Sequence, residues 1–320
     1  MIETHFGLRR RPFRATPDSA GYYPATTHEQ ALARILQALA DDEGLILLTA
    51  APGMGKTLLC HVVLERLGAE LASAFLTNSH CRHRLGLLQA ICFDLSLPHE
   101  GRGEQELRLA LTDSLLRNYA DGRRTVLVVD EAHHLAPDLL EELRLLGNLE
   151  AGVGKALRVI LVAQPSIHVT LARSELAAFR QRLAVRPRLE PLGVEESADY
   201  LLHQVRAAGG RPDNLISEEA LEILARGGQG VPRLLNQAAH QALLLAHAAG
   251  ASQVDAEAAL EALPLIGLEP ASESATTEQS LVGEGIPDTE DSGPVLSMLD
   301  EHAGDVIGRV ELVVSPKQPA

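Results

Sequence analysis

The sequence predicts a three-layer α/β fold on a parallel sheet, followed by a small all-helical domain. Three observations carry that expectation. Apolar runs at 45–49, 125–129 and 157–163 show no alternation with polar residues, as expected of parallel strands covered on both faces. Helical periodicity fills the intervals between them, which calls for right-handed crossover connections. From Val194 onward strand-like runs cease and helical patterns follow one another.

In chain order, residues 1–25 form a basic arm broken by Pro12, Pro17 and Gly21, and read as irregular. The α/β domain is expected over 26–192. It opens with a helix in which Thr26 and Glu29 fit a capping box and Ala31, Leu32, Ile35, Leu36 and Leu39 recur at helical spacing. The run at 45–49 then enters a glycine-rich turn and a second helix over 56–67. Residues 72–77 and 184–189 are weaker strand candidates, and helices are expected at 83–96, 104–120, 137–149 and 166–183. The helical domain, 193–264, should hold helices at 194–208, 217–226, 232–249 and 255–262. Residues 265–320 turn to Ser, Thr, Glu, Gly and Pro and read as a disordered acidic tail.

The net charge of −15 is unevenly placed: eleven acidic and two basic residues put −9 on 265–320 and leave −6 on the preceding 264. Charge therefore neither supports nor excludes a nucleic-acid partner. Of 28 basic residues only Lys56, Lys155 and Lys317 are lysines, which singles out Lys56. Cys60, Cys81 and Cys92 are odd in number, lack C-x-x-C spacing and read as small buried hydrophobes rather than a disulfide framework. No apolar run approaches the roughly 18–20 residues of a membrane span, and the first residues lack a signal-peptide core, so a cytoplasmic location is expected.

Two motifs carry chemistry. Ala50, Ala51, Pro52, Gly53, Met54, Gly55, Lys56 and Thr57, with Leu58 following, fit the phosphate-loop pattern G-x-x-x-x-G-K-[ST] except at Ala50. Gly53 and Gly55 let the backbone curl so that N–H groups point at phosphate oxygens, aided by the positive end of the helix that starts there. Lys56 adds charge for the outer phosphates of ATP, and the Thr57 hydroxyl is a Mg2+ ligand. The second motif is the Asp130-Glu131 pair at the carboxyl end of a buried strand, where open α/β sheets place their ligand crevice. Asp130 is expected to hold Mg2+ and Glu131 to activate the attacking water. Asp130 to His133 also spells the DEAH tetrad of some helicases, but the mostly helical, acidic remainder offers no second RecA-like domain. His80, Cys81 and His83, with His133 and His134, lack a partner pair at zinc spacing.

The two motifs, with Phe6-Gly7-Leu8, Pro12-Phe13, Tyr23-Pro24, His28-Glu29, the stretch 143–150, Val162-Ala163-Gln164-Pro165, the stretch 180–183 and Gly230-Val231-Pro232-Arg233, resemble the ExeA/GspA-like AAA+ ATPases. These are relatives of transposition ATPases and, more distantly, of origin-recognition ATPases. The resemblance implies a P-loop NTPase sheet with a helical lid, and ATP hydrolysis in a nucleotide-switched homo-oligomer. It implies a sensor role for Gln164, with Asn148 as a second polar candidate, and an arginine finger at Arg182 or Arg180. It also makes Arg233 the lid's sensor arginine and puts Tyr23 and His28 near the adenine. The implied partner is a secretion or envelope protein, including a membrane-bound one, with peripheral association at the inner membrane open. Secretion members usually carry a membrane span and a peptidoglycan-binding domain after the ATPase, and neither is visible in this sequence. Two rival outputs remain: a transposition-type ATPase on DNA, engaging Arg9, Arg10, Arg11 and Arg14, and a slowly hydrolysing regulatory module.

Overall fold

The structure is a computed structural model that describes residues 2–269 except 15, 17, 69–70, 78–80 and 153. The acidic segment expected beyond 264 lies, from residue 270 on, outside the described residues. Five strands form one parallel sheet: β1 (Leu45–Thr49), β2 (Leu71–Leu76), β3 (Arg124–Val129), β4 (Arg158–Ala163) and β5 (Leu183–Val185), in the order β2-β3-β4-β1-β5.

Side-chain alternation along a strand explains why these runs are apolar throughout. Leu45 and Leu47 of β1, Leu127 and Val129 of β3 and Val159 and Leu161 of β4 point to one face. There they meet α3 (Arg84–Asp94), α4 (Glu104–Ala120) and α5 (Pro137–Gly147). Ile46, Leu48, Val126, Val128, Ile160 and Val162 point to the other, against α1 (Thr26–Ala40) and α2 (Lys56–Leu67). Each full side chain so buried contributes about 1.5–3 kcal/mol.

A separate core lies among α6 (Val194–Ala207), α7 (Glu218–Gly227), α8 (Pro232–Ala248) and α9 (Ala256–Leu265). Ser217 and Asp255 cap α7 and α9 by accepting from the Ala220 and Ala258 amides at 3.1 and 2.9 Å. Leu8 and Phe13 are buried in this same core, so the N-terminal stretch is packed although it has little regular structure. One of its ties is the Arg9 amide, which donates to the Ala208 carbonyl.

Three local expectations differ from the structure. The capping box at Thr26 is absent, because Ala25 takes the extended cap position. Glu29 instead accepts from the Tyr22 hydroxyl at 2.9 Å, and the Thr26 amide donates to Glu196 of α6 at 2.6 Å. The helix expected at 166–183 is broken into Ile167–Leu171, a turn at Ser174–Leu176 and Ala177–Arg182. Fully burying both Leu176 and Phe179 redirects the chain there, and the Arg180 guanidinium satisfies the carbonyls of Leu171 and Arg173 that the break exposes. A short helix at Pro212–Leu215, begun by proline, was not expected.

Candidate functional site

Because β4 lies between β1 and β3 and all three run parallel, their carboxyl ends open side by side. Thr49 pairs with Ala163, and Val129 with Leu161. The next residues along the three strands, Ala50, Gln164 and the Asp130-Glu131 pair, therefore converge at one edge.

Ala50 is buried at the start of the loop, and its amide donates to the Ala163 carbonyl at 3.2 Å. Gly53 and Gly55 have φ of 83° and 82°, the left-handed region that admits glycine readily. Gly55 is the N-cap of α2 and no side chain caps that helix end, so its first amides are disposed toward an anion. Met54 is fully buried in the core beneath the loop, while Pro52 and Leu58 line the cavity above it. Lys56 is 5% exposed, and its ammonium donates to the carbonyls of Ala50 and Ala51 at 3.1 and 3.0 Å. Burial lowers its pKa, against the opposing pull of Glu131 and Asp130.

The Thr57 hydroxyl donates to Asp130 Oδ2 at 2.5 Å, and Asp130 Oδ1 accepts from the Glu131 amide at 2.8 Å. A hydroxyl and a carboxylate meeting at one point beside a phosphate loop are the hard oxygen donors that magnesium prefers, so the residues present fit that ion. Glu131 has φ of 53°, left-handed for a non-glycine residue at the end of β3. Its Oε2 lies 3.4 Å from Gln164 Nε2 and 3.4 Å from His133 Nε2.

A cavity of 360 Å3 opens above this edge. Gly53, Lys56, Thr57, Glu131 and Gln164 form its floor, and Arg233, Asn236, Gln237 and His240, at helical spacing along α8, form a wall. The Arg233 amide donates to the Gly53 carbonyl at 3.2 Å, which joins α8 directly to the loop. Tyr200 of α6 also faces the cavity and donates to Asn236 Oδ1 at 3.0 Å; burial pushes its phenol up to about 12.

The remaining expected residues divide. His28 Nε2 donates to the Met54 carbonyl at 2.8 Å, bracing the loop from behind, and burial lowers its pKa. Tyr23 is not among the cavity residues; it packs edge-on against Tyr200, ring centres 5.8 Å apart, and beside His203. Arg182 is exposed at the end of its helix, outside the cavity. There it adds, after the hydrogen bond from Lys155, to the fields that hold the Glu150 carboxyl low. Arg180 is occupied by its own chain's carbonyls, and Asn148 caps α5.

Arg10, Arg11 and Arg14 were expected on an open arm but line the cavity. Arg10 pairs with Asp18 at 2.8 Å, and Arg11 donates to His240 Nε2 at 2.6 Å. Of the polar stripe of α8 only Arg233 is expected from the sequence, although the helical spacing of Arg233, Asn236, Gln237 and His240 carries the signal; the inward turn of the arm has no such signal, since it depends on Leu8 and Phe13 finding a distant core.

Comparisons with known proteins bear on this geometry. Residues 39–171 match the AAA domain family. The chain is 36% identical over 255 residues to general secretion pathway protein A of Aeromonas hydrophila, covering 79% of this chain. This is a GspA-like AAA+ protein. It spans 46% of that relative's length. Among solved structures, the ORC2 protein of Aeropyrum pernix aligns with a TM-score of 0.60 at 19% identity, covering 77% of this chain and 67% of the other. Cdc6p from Pyrobaculum aerophilum aligns with a TM-score of 0.60 at 21% identity, covering 74% and 68%. At those identities the likeness concerns the fold, and the fold is that of an AAA+ P-loop NTPase with a parallel sheet and a following helical layer. Among the described residues of this GspA-like chain, no helix is long and apolar enough to cross a membrane.

Proposed function

We propose that this chain binds Mg-ATP in the 360 Å3 cavity and hydrolyses it, with residues 26–192 as the catalytic unit and 193–264 as a lid. The observation that carries the reading is the Thr57–Asp130 contact of 2.5 Å, set beside Lys56 on one side and Glu131 on the other. The loop amides and Lys56 grip the triphosphate, and Thr57 and Asp130 would hold magnesium. When bound, the ion neutralises charge on the outer phosphates. Glu131 accepts the proton of the attacking water, and Gln164, whose amide faces the same carboxylate, orients that water. Arg233, whose backbone touches the loop, couples lid position to the nucleotide.

The lid contact supports a switch. A ligand that touches both layers favours the closed arrangement by as much as it binds that arrangement better. Arg182 is taken as the finger that completes the site of a neighbouring copy; its exposure outside its own cavity supports it over Arg180, whose guanidinium is bonded to its own chain's carbonyls. A nucleotide-dependent homo-oligomer follows, acting on a partner in secretion or envelope assembly as the likeness to general secretion pathway protein A supports. The inward-facing arginines favour the nucleotide over duplex DNA as the counter-charge they serve.

Calorimetry with Mg-ATP, phosphate release and sedimentation with a slowly hydrolysed analogue test this reading together. The parent chain binds, turns over and changes size with the analogue. K56A does not bind, and E131Q binds without turnover. No heat from the parent chain, or full turnover by E131Q, contradicts the assignment.

A further inference from the structure

His133 lies two residues beyond Glu131 in the turn that follows β3, and its side chain is only 7% exposed. Its two ring nitrogens face different groups. The Gln164 backbone amide donates to Nδ1 at 3.3 Å, while Nε2 lies 3.4 Å from Glu131 Oε2. A ring nitrogen that accepts carries no proton, so in the neutral imidazole the proton sits on Nε2, the nitrogen nearer the carboxylate. Burial, and then the neighbouring His134, lower the pKa of the ring, which keeps it neutral at pH 7.

The Glu131 side chain is 41% exposed, and its backbone is in the left-handed region. The rigid imidazole spans from the end of β4 to that carboxylate, and Gln164 Nε2 addresses the same oxygen.

We infer that His133 is a positioning residue: anchored through Nδ1 on the Gln164 amide, it presents Nε2–H to Glu131 and so sets the aim of the general base. This rests on the reading of Glu131 as the base that activates water. The spacing also makes the role legible chemically, because the group that positions the base and the group that orients the water are tied to each other by one hydrogen bond.

Three substitutions at residue 133 test it in the 320-residue chain. A glutamine amide reaches the place of Nε2, an asparagine amide the place of Nδ1, and alanine neither. Phosphate release and the Kd for Mg-ATP are measured for each. The expected result is that H133Q stays within about threefold of the parent kcat, while H133N and H133A fall on the order of 10- to 100-fold, all at unchanged Kd. A role confined to satisfying the β4 end predicts the opposite order, with H133N active and H133Q impaired. That order, an H133Q loss as deep as that of H133A, parent-like kcat in all three, or a Kd that rises in step with the loss overturns the inference. Absence of turnover in the parent chain with Mg-ATP bound is a different failure: it removes the hydrolysis reading itself, before any variant is compared.

Discussion

Gly53 and Gly55 allow the contact between the loop and the helical layer to be weighed by paired substitutions. Both have left-handed φ, so alanine at either position pays a similar backbone penalty, roughly 1–2 kcal/mol. They differ in what the new methyl group meets. At Gly53 it would lie 2.9 Å from Arg233 Cβ and 3.1 Å from Val231 Cγ1, whereas at Gly55 its nearest neighbour is His28 Nε2 at 3.5 Å. Arg233 Cβ is fixed to the backbone of α8, so relief requires α8 to move. That displacement breaks the 3.2 Å bond from the Arg233 amide to the Gly53 carbonyl. An overpacked contact adds about 1–3 kcal/mol if α8 stays in place. G55A should therefore lower Tm by roughly 2–8 °C, with G53A lower still. If α8 moves, the loss of one net hydrogen bond worth about 0.5–1.5 kcal/mol accelerates exchange of the Arg233 amide roughly 2- to 12-fold in G53A, with little change in G55A. Hydrogen exchange and thermal melts on nucleotide-free protein supply both readouts. Equal Tm values together with equal Arg233 exchange in the two variants would refute the reasoning.

Other substitutions address the core, acid stability and the arm. Glu142 is fully buried and paired with Arg108 at 2.8 Å, so R108A strands a carboxylate and should destabilise by about 3 kcal/mol in urea denaturation. Replacing Glu142 and Arg108 together by apolar residues should be milder than R108A alone. His28 has a folded pKa below its ordinary 6.5 because it is buried, so the unfolded chain binds the proton more readily. Stability is then complete above about pH 6.5 and falls as the pH drops toward the folded value; H28Q, which can still donate to Met54, should flatten that decline in denaturation curves. An unchanged slope would assign the acid sensitivity to His133, His203 and His240, whose pKa values are also lowered by burial. Finally, R11A with R14A should weaken Mg-ATP binding and reduce its sensitivity to salt, measured by titration at two ionic strengths.

Much of this layout could be read from residues whose local chemistry is self-sufficient. The phosphate loop needs only glycines, a lysine and a hydroxyl in series, and the strand cores need only uninterrupted apolar runs. What could not be read depends on partners far along the chain. Thr26 looks like a helix cap, but Glu196, 170 residues away, takes its amide. Residues 166–183 have helical periodicity, yet burial of Leu176 and Phe179 breaks them into pieces. Arg10, Arg11 and Arg14 read only as part of an irregular basic arm because nothing near them in sequence shows that Phe13 is anchored beneath the helical layer. His133 is the converse case: the residue is plain in the motif, and its significance emerges only when β4 brings Gln164 beside it.

The attachment of the first residues to the second core has a mechanical result. Leu8 and Phe13 are embedded among the helices of that core, the Arg10 side chain is bonded to the Ala207 carbonyl, and Asn236 holds the Arg14 carbonyl. A hinge motion of those helices would thus carry Arg10, Arg11, Arg14 and Arg233 as a single cationic jaw. Under the proposed function, opening it would widen the mouth and withdraw positive potential in the same stroke, so that the release of a polyanionic product would be eased by geometry and by field together.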